Sequence, residues 1–161
     1  MGTNCYMVRN EDTMGCFIVD MAAWPPELVR HIKNAGLTVS AVLLTHGHFD
    51  HIMGLDRFLE EFPVPVYACG AEKELLENAQ MNSSAGMLGQ PYTFTGAQFV
   101  KDGDLLQIAG MNIQVIQTPG HTNGGCCYYI AAAKALFSGD TPFRASVGRP
   151  DLPTGRRGAW V

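Results

Sequence analysis

A short apolar segment, residues 39–45, leads directly into the polar segment HGHFDH at residues 46–51. The apolar segment is continuous and rich in β-branched residues, a pattern typical of a strand buried on both faces. Apolar residues then recur at helical spacing, which predicts a helix over residues 50–61 that ends before Pro63. Because open α/β sheets place their sites where a strand gives way to a helix, this junction constrains both the fold and the site.

The rest of the chain divides into two halves with different hydrophobic periods. In the first half we predict strands over residues 15–20 and 65–68, and helices over residues 25–35 and 71–80. In the second half, alternating residues predict strands over residues 98–100, 104–108, 111–117, 125–130 and 134–138, with a hairpin turn at Ala109-Gly110. Residues 141–161 are predicted to form a loop. A β/α half followed by a mostly antiparallel half indicates an α+β fold, with sheets that carry helices on the outside.

Length and composition favour a single globular domain over residues 1–161. Hydrophobic residues make up 47% of the 161 residues and charged residues 16%, which excludes a disordered tail and a coiled coil. The formal net charge of −4 argues against nucleic acid as a partner. The longest apolar runs are far shorter than a membrane-spanning helix, so we expect no membrane partner.

The cysteines and the N-terminal residues indicate a cytoplasmic location. The five cysteines are an odd number and form no CxxC motif, so we expect small, reduced core residues. The first residues lack the basic and apolar regions of an export signal, and they lack a myristoylation motif.

The HGHFDH segment contains residue types that bind a transition metal. Imidazole nitrogens and carboxylate oxygens are preferred ligands of Zn²⁺ and Fe²⁺. His46 and His48 are two residues apart in an extended turn, so their side chains share a face and can converge on one ion. Asp50 and His51 begin the helix and point another way, which would suit a second ion.

Two further motifs place polar side chains directly after predicted strands. His121 lies in the segment TPGHT at residues 118–122, where it would complete a set of three histidines around one ion. Asp140 lies in the segment LFSGDT at residues 136–141, and a carboxylate at that position could bridge two metals. Residues 83–89 form a polar, glycine-containing segment that we interpret as a loop bordering the site.

Taken in this order, the three motifs resemble those of the metallo-β-lactamase-fold hydrolases, and within them the glyoxalase II-like (hydroxyacylglutathione hydrolase-like) group. The resemblance runs from residues 2–6 to residues 148–151. It implies an αββα sandwich with a binuclear site at one edge. It also implies a ligand set, in which His46, His48 and His121 hold the first metal, Asp50 and His51 hold the second, and Asp140 bridges the two.

The chain departs from this family pattern near its C-terminus. The family closes its second metal site with a further histidine, whereas this chain has none after His121. The family's opening strand and its last strand and helix also have no counterpart here. We therefore expect a fragment or natural truncation with a sandwich that is incomplete at the C-terminus. Its uncovered sheet edges would favour self-association.

The resemblance implies a zinc-dependent hydrolase, most simply one that cleaves a thioester of the S-lactoylglutathione type. Two zinc ions are expected, with Fe²⁺ or Mn²⁺ as alternatives. A metal-bound hydroxide would attack the carbonyl carbon, because a bound zinc ion lowers the pKa of water to about 7. Asp50 would orient this hydroxide or accept its proton. Arg149 occupies roughly the position at which the family keeps a basic residue for the substrate's carboxylate.

Several alternatives share this framework. A persulfide dioxygenase of the same superfamily would hold a single iron through His46, His121 and Asp140. Lactonase and β-lactamase activities use the same fold, since specificity lies in the loops, and the negative net charge makes a nuclease the poorest of the candidates. A non-enzymatic remnant would keep the metal ligands and lack turnover.

Overall fold

The computed structural model describes residues 2–156, which form two β-sheets, a small hairpin and short helices. The strands are β1 (Tyr6–Arg9), β2 (Gly15–Val19), β3 (Thr38–Leu43), β4 (Val66–Cys69), β5 (Ala97–Val100), β6 (Leu105–Ile108), β7 (Met111–Gln117), β8 (Cys126–Ile130), β9 (Ala135–Phe137), β10 (Pro142–Phe143) and β11 (Ser146–Val147). The α-helices are α1 (Pro26–Asn34), α2 (Phe49–Ile52), α3 (Leu55–Glu61), α4 (Lys73–Glu77) and α5 (Ser84–Met87). Short 3₁₀ turns span Gly70–Glu72 and Ala131–Ala133.

The two sheets differ in strand direction. The first sheet has the order β1-β2-β3-β4-β5, in which β1 and β2 are antiparallel and the remaining pairs are parallel. The second sheet is antiparallel and has the order β6-β7-β8-β9. The sequence analysis assigned the strand predicted over residues 98–100, which corresponds to β5, to the antiparallel half. That prediction was wrong, because β5 pairs in parallel with β4 and ends the first sheet.

Two apolar layers hold the sandwich together. Ala41 and Leu43 of β3 face a core shared with Ile113 and Tyr128 of the second sheet. The alternate side of the first sheet packs against the helices, which contribute buried side chains of α1, α2, α3 and α4. The prediction that the strand before the HGHFDH segment, β3, is buried on both faces is therefore confirmed. Among residues 2–156, no α-helix contributes to the layer between the sheets.

The predicted helix over residues 50–61 is interrupted. Residues 49–52 and 55–61 form separate helices, and the amide of Gly54 donates to the carbonyl of Met21 at 3.0 Å. A β-carbon at position 54 would collide with the carbonyl oxygen of Ala23. Only a glycine at this position allows the chain to approach the segment after β2 so closely. The contact interrupts the helix, although apolar residues recur at helical spacing on both sides of it.

Smaller differences occur at two other predicted elements. The helix predicted over residues 71–80 ends at Glu77, because the Asn78 side chain accepts bonds from the amides of Gln80 and Met81 and starts a turn. The predicted loop over residues 141–161 contains the hairpin of β10 and β11, and its last five residues lie outside the described ones. None of the helices in residues 2–156 has the length and apolar character needed to cross a bilayer.

Candidate metal centre

The predicted ligands meet at one edge of the sandwich, where strands of both sheets end. His46, His48 and His51 follow β3 of the first sheet, whereas His121 follows β7 and Asp140 follows β9 of the second sheet. All four histidines are buried. The site therefore lies across the junction of the two sheets, and it depends on their packing.

Three histidines form the first group. The Nδ1 atom of His48 lies 3.0 Å from Nε2 of His121, and one nitrogen of His46 lies within 4.8 Å of both. Two nitrogen ligands of a tetrahedral zinc ion, each at roughly 2.0–2.1 Å, are about 3.3–3.4 Å apart. The observed spacing is close to this value, so the three rings can surround one ion after small side-chain shifts.

The hydrogen bonds of these histidines indicate which of their ring nitrogens a cation can bind. The Nδ1 atom of His121 donates to the carbonyl of Arg149 at 2.8 Å, which leaves a lone pair on its Nε2. The Nε2 atoms of His46 and His48 are buried and have no hydrogen-bond partner among the described residues. Buried polar atoms without a partner are rare in proteins. A cation at this position would bind the Nε2 of His46, so the residues fit a metal ion.

A second group lies beside the first. His51 and Asp140 join His46 in a set whose ligand atoms are within 4.8 Å of one another. The Nε2 atom of His51 is 3.4 Å from Asp140 Oδ1 and 4.0 Å from Asp50 Oδ2. Asp140 also approaches His121 Nε2, at 3.5 Å, and thus stands between the two groups. Because His46 belongs to both groups, the two halves of the site are closer together than the sequence suggested.

Burial and charge give these histidines different proton affinities. Burial and the neighbouring histidines lower the pKa of His46, and burial together with His121 lowers the pKa of His48 to about 4. Burial opposes a charge on His51 as well, yet the charge of Asp20 and hydrogen bonds to Asp140 and Asp20 raise its pKa to about 10. His46 and His48 are therefore neutral at pH 7 and can accept a cation without losing a proton.

Asp20, which follows β2, is a functional residue that the sequence analysis missed. Its Oδ1 accepts the amide of Thr45 at 2.8 Å, and its Oδ2 accepts the Thr45 hydroxyl at 2.8 Å and lies 2.9 Å from His51 Nδ1. The Thr45 oxygen in turn lies 3.2 Å from His46 Nδ1. Asp20 thereby orients two rings through their outer nitrogens. An acidic residue directly after an apolar strand, the signal used for Asp140, could have identified it.

Glu72 is a second residue that the sequence did not point to. This buried carboxylate accepts the amide of Gly47 and the amide of Gly124, each at 2.7 Å. It therefore ties the loop that carries His46 and His48 to the loop that carries His121. A β-carbon at position 124 would lie 2.6 Å from the backbone nitrogen of Glu72, so only glycine permits this approach. No local pattern distinguishes Glu72 from a solvent-facing helix residue.

Two predicted residues have contacts that bear on their roles. Asp50 lies at the mouth of the site, where its Oδ2 accepts the hydroxyl of Thr3 at 2.6 Å. The guanidinium of Arg149 is exposed and donates to both carboxylate oxygens of Asp151, at 2.8 and 2.7 Å. The part of Arg149 that contacts the site is its carbonyl, which accepts from His121. A role for its charge in substrate binding stays a prediction.

A two-sheet sandwich with histidines and carboxylates gathered at one edge defines a metallo-hydrolase fold. The model of the metallo-beta-lactamase superfamily matches residues 1–160. The chain belongs to this superfamily, and the predicted fold class is confirmed. Its His and Asp cluster is thus a metal-binding site of the superfamily type.

The relatives of this chain include curated proteins and solved structures. The chain is 37% identical over 155 residues to the probable metallo-hydrolase YqgX of Bacillus subtilis, covering 96% of this chain and 72% of the relative. It is 28% identical over 155 residues to the hydroxyacylglutathione hydrolase GloC of Haemophilus influenzae, covering 94% of this chain and 72% of that protein.

Two solved structures share the fold closely. The BLEG-1 B3 metallo-beta-lactamase superposes with a TM-score of 0.90 at 35% identity, covering 98% of this chain and 76% of that one. TTHA1623 in a di-iron-bound form superposes with a TM-score of 0.83 at 32% identity, covering 98% and 77% of the two chains.

Proposed function

We propose that this chain is a metal-dependent hydrolase that cleaves thioesters of the hydroxyacylglutathione type. The observation that carries the proposal is the set of buried imidazoles of His46, His48 and His121, each of which offers a nitrogen within 4.8 Å of the other two. The likeness to GloC, named as a hydroxyacylglutathione hydrolase, supports the choice of a thioester as the substrate.

The ligand roles follow from the two groups of side chains. His46, His48 and His121 would hold one divalent cation, and His51 and Asp50 would hold another, with Asp140 between them. When bound, such cations lower the pKa of a water ligand to about 7 and polarise a carbonyl oxygen. Zinc fits the nitrogen-rich first group, and the di-iron form of TTHA1623 supports iron as the alternative.

The residues of the chain position the reactants and move the proton. Asp50 lies at the mouth of the site, where the Thr3 hydroxyl donates to one carboxylate oxygen and leaves the other free to accept a proton from water. The water oxygen forms the new C–O bond as the C–S bond breaks. The products are a carboxylate and a thiol, and one proton passes to solvent. This carboxylate therefore acts as the general base in the proposal.

A β-lactam is the second candidate substrate. It is supported by the likeness to BLEG-1, whose structure is described as a B3 metallo-beta-lactamase. Hydrolysis of an amide in a strained ring needs the same polarised carbonyl and activated water, so the site chemistry serves both reactions. The two candidates differ in the group that leaves, a thiolate or a ring nitrogen.

Hydrolysis of S-lactoylglutathione and of a chromogenic cephalosporin, with elemental analysis of the same preparation, tests the proposal. We expect thioester cleavage that is lost with a chelator and restored by zinc. The His48→Ala variant should lose this activity, whereas His31→Ala, which removes an exposed histidine on α1, should keep it. Thioester cleavage that survives complete metal removal would overturn the proposal. One iron per chain with oxygen uptake on glutathione persulfide would indicate a dioxygenase.

A further inference from the structure

Two clefts of different character open beside the metal centre. The first, of about 500 Å³, reaches His48 and His121 and has a largely apolar wall made by Phe49, Met87, Phe143, Val147 and Leu152. The second, of about 310 Å³, reaches His51 and is more polar, with Thr3, Asn4 and Ser138 in its lining beside apolar residues such as Leu136. Phe143 lies between the two clefts and lines both. Both clefts contain Asp50 and Asp140, so a carbonyl group held at the centre would have one substituent in each.

The apolar wall is exposed to a degree that is unusual for such side chains. Met87 is 63% exposed, Phe143 47% and Val147 50%, although these residues come from α5 and from the hairpin of β10 and β11. Large apolar side chains from separate segments that face one cleft are characteristic of a binding site. Because these side chains lie next to the metal ligands, we expect the cleft to bind one of the two substrate groups that are bonded to the reacting carbonyl carbon.

The two parts of a glutathione thioester differ in polarity. The glutathione part carries amides and carboxylates, which would lose hydration against the apolar wall. The guanidinium of Arg149, which also lines this cleft, is paired with Asp151 through two hydrogen bonds. An apolar acyl group would instead gain contact with the wall.

We propose that the apolar cleft binds the acyl part of the thioester and that, among the thioesters this chain cleaves, larger apolar acyl groups are preferred over small ones such as acetyl or lactoyl. The thiol part then occupies the polar cleft beside His51. This inference rests on the proposed function, and it goes further by assigning the substrate class and the residues that select it. Met87 and Val147 are the specificity-determining residues, since their exposed apolar side chains line this cleft and not the polar one.

The expected preference follows from the hydrophobic effect. A fully buried methylene contributes roughly a fourfold gain in binding. The cleft is open on one side, so we expect about a twofold gain for each methylene, which gives roughly 10–20-fold from an acetyl to a hexanoyl group. A polar or solvent-exposed acyl site would show no such progression.

The test measures kcat/KM for the acetyl and hexanoyl thioesters of N-acetylcysteamine with the zinc-loaded chain. The ratio of the two values does not depend on how much of the protein is active, so partial misfolding does not affect it. We expect Met87→Ser to lower this hexanoyl-to-acetyl ratio by at least about threefold. Leu105→Ser is the matched control, because Leu105 is 71% exposed, similar to Met87 at 63%, but lies on β6 outside both clefts.

A binding measurement separates this inference from the proposed function. The S-methyl and S-hexyl thioethers of N-acetylcysteamine cannot be hydrolysed, and their affinities for the metal-free chain can be measured by calorimetry. We expect the hexyl compound to bind more tightly, and Met87→Ser or Val147→Ser to remove the difference. Tighter hexyl binding without any thioester cleavage would refute only the proposed function. Cleavage with equal hexanoyl and acetyl rates, or a ratio unchanged by both substitutions, would overturn the inference about the cleft.

Discussion

Replacing Glu72 with glutamine tests the structural connection between the two ligand loops. The carboxylate accepts one amide from each loop, that of Gly47 and that of Gly124, at 2.7 Å. Glutamine keeps the shape and one acceptor oxygen, but its NH₂ group must then face an amide that also donates. One buried N–H therefore loses its partner, and the two loops are no longer held by a single group.

The magnitude follows from the burial of Glu72, which is 1% exposed. A hydrogen bond to a charged group contributes about 1.5–3 kcal/mol, and a buried donor without a partner costs a similar amount. Burial raises the pKa of the Glu72 carboxyl, so glutamine also removes a desolvation cost that offsets part of the loss. We therefore expect Glu72→Gln to reduce the free energy of unfolding by about 1–2 kcal/mol, or roughly 2–8 °C in Tm.

The assay is thermal unfolding of the chain with a chelator present, followed by competitive zinc titration. We expect the zinc affinity of Glu72→Gln to fall by about tenfold, because loop displacement separates His121 from His46 and His48. Glu74→Gln is the control, as it makes the same chemical change at an exposed position of α4. A Glu72→Gln variant that matches Glu74→Gln in both Tm and zinc affinity would refute the argument.

Three other predictions concern separate parts of the molecule. Asp20→Asn removes the charge that orients His46 and His51, and we expect about a tenfold or greater loss of metal affinity by calorimetry, with the exposed Asp12→Asn unchanged. Gly54→Ala forces a β-carbon against a backbone carbonyl, so denaturant unfolding should show a loss of about 1–3 kcal/mol, whereas Gly86→Ala, which has open space, should be nearly neutral or stabilising. Burial and the charge of Asp20 raise the pKa of the Cys5 thiol to about 12, so at pH 8 iodoacetamide should modify it at least about a hundredfold more slowly in the native than in the unfolded chain, as measured by mass spectrometry of the labelled peptide. Equal labelling rates in the two states would contradict this last expectation.

Much of the fold could be predicted because its signals are local. The period-two segment that became β7 has the predicted bounds, Met111–Gln117, and the turn at Ala109-Gly110 forms with both residues at positive φ. The continuous apolar run that became β3 also predicted where the HGHFDH segment lies, since the chain must leave a sheet at the end of a buried strand. The five cysteines are free thiols, four of them buried, as their spacing indicated.

Where prediction failed, the deciding contacts come from residues far apart in the sequence. The pairing of β5 with β4 depends on an edge position that a four-residue alternating pattern does not specify. The break between α2 and α3 depends on the approach of the backbone at Ala23 to Gly54. The period of the surrounding apolar residues is the same in a broken and in a continuous helix.

The sequence by itself determined which side chains stand at the ends of strands, and hence the six candidate ligands, because strand and turn preferences act over a few neighbouring residues. Only the tertiary structure decided that His46 belongs to both ligand groups and that Asp20 and Glu72 support them. These carboxylates reach partners 25 to 52 residues away. Such hydrogen bonds form only after the two sheets have packed, and no local pattern in the chain records them.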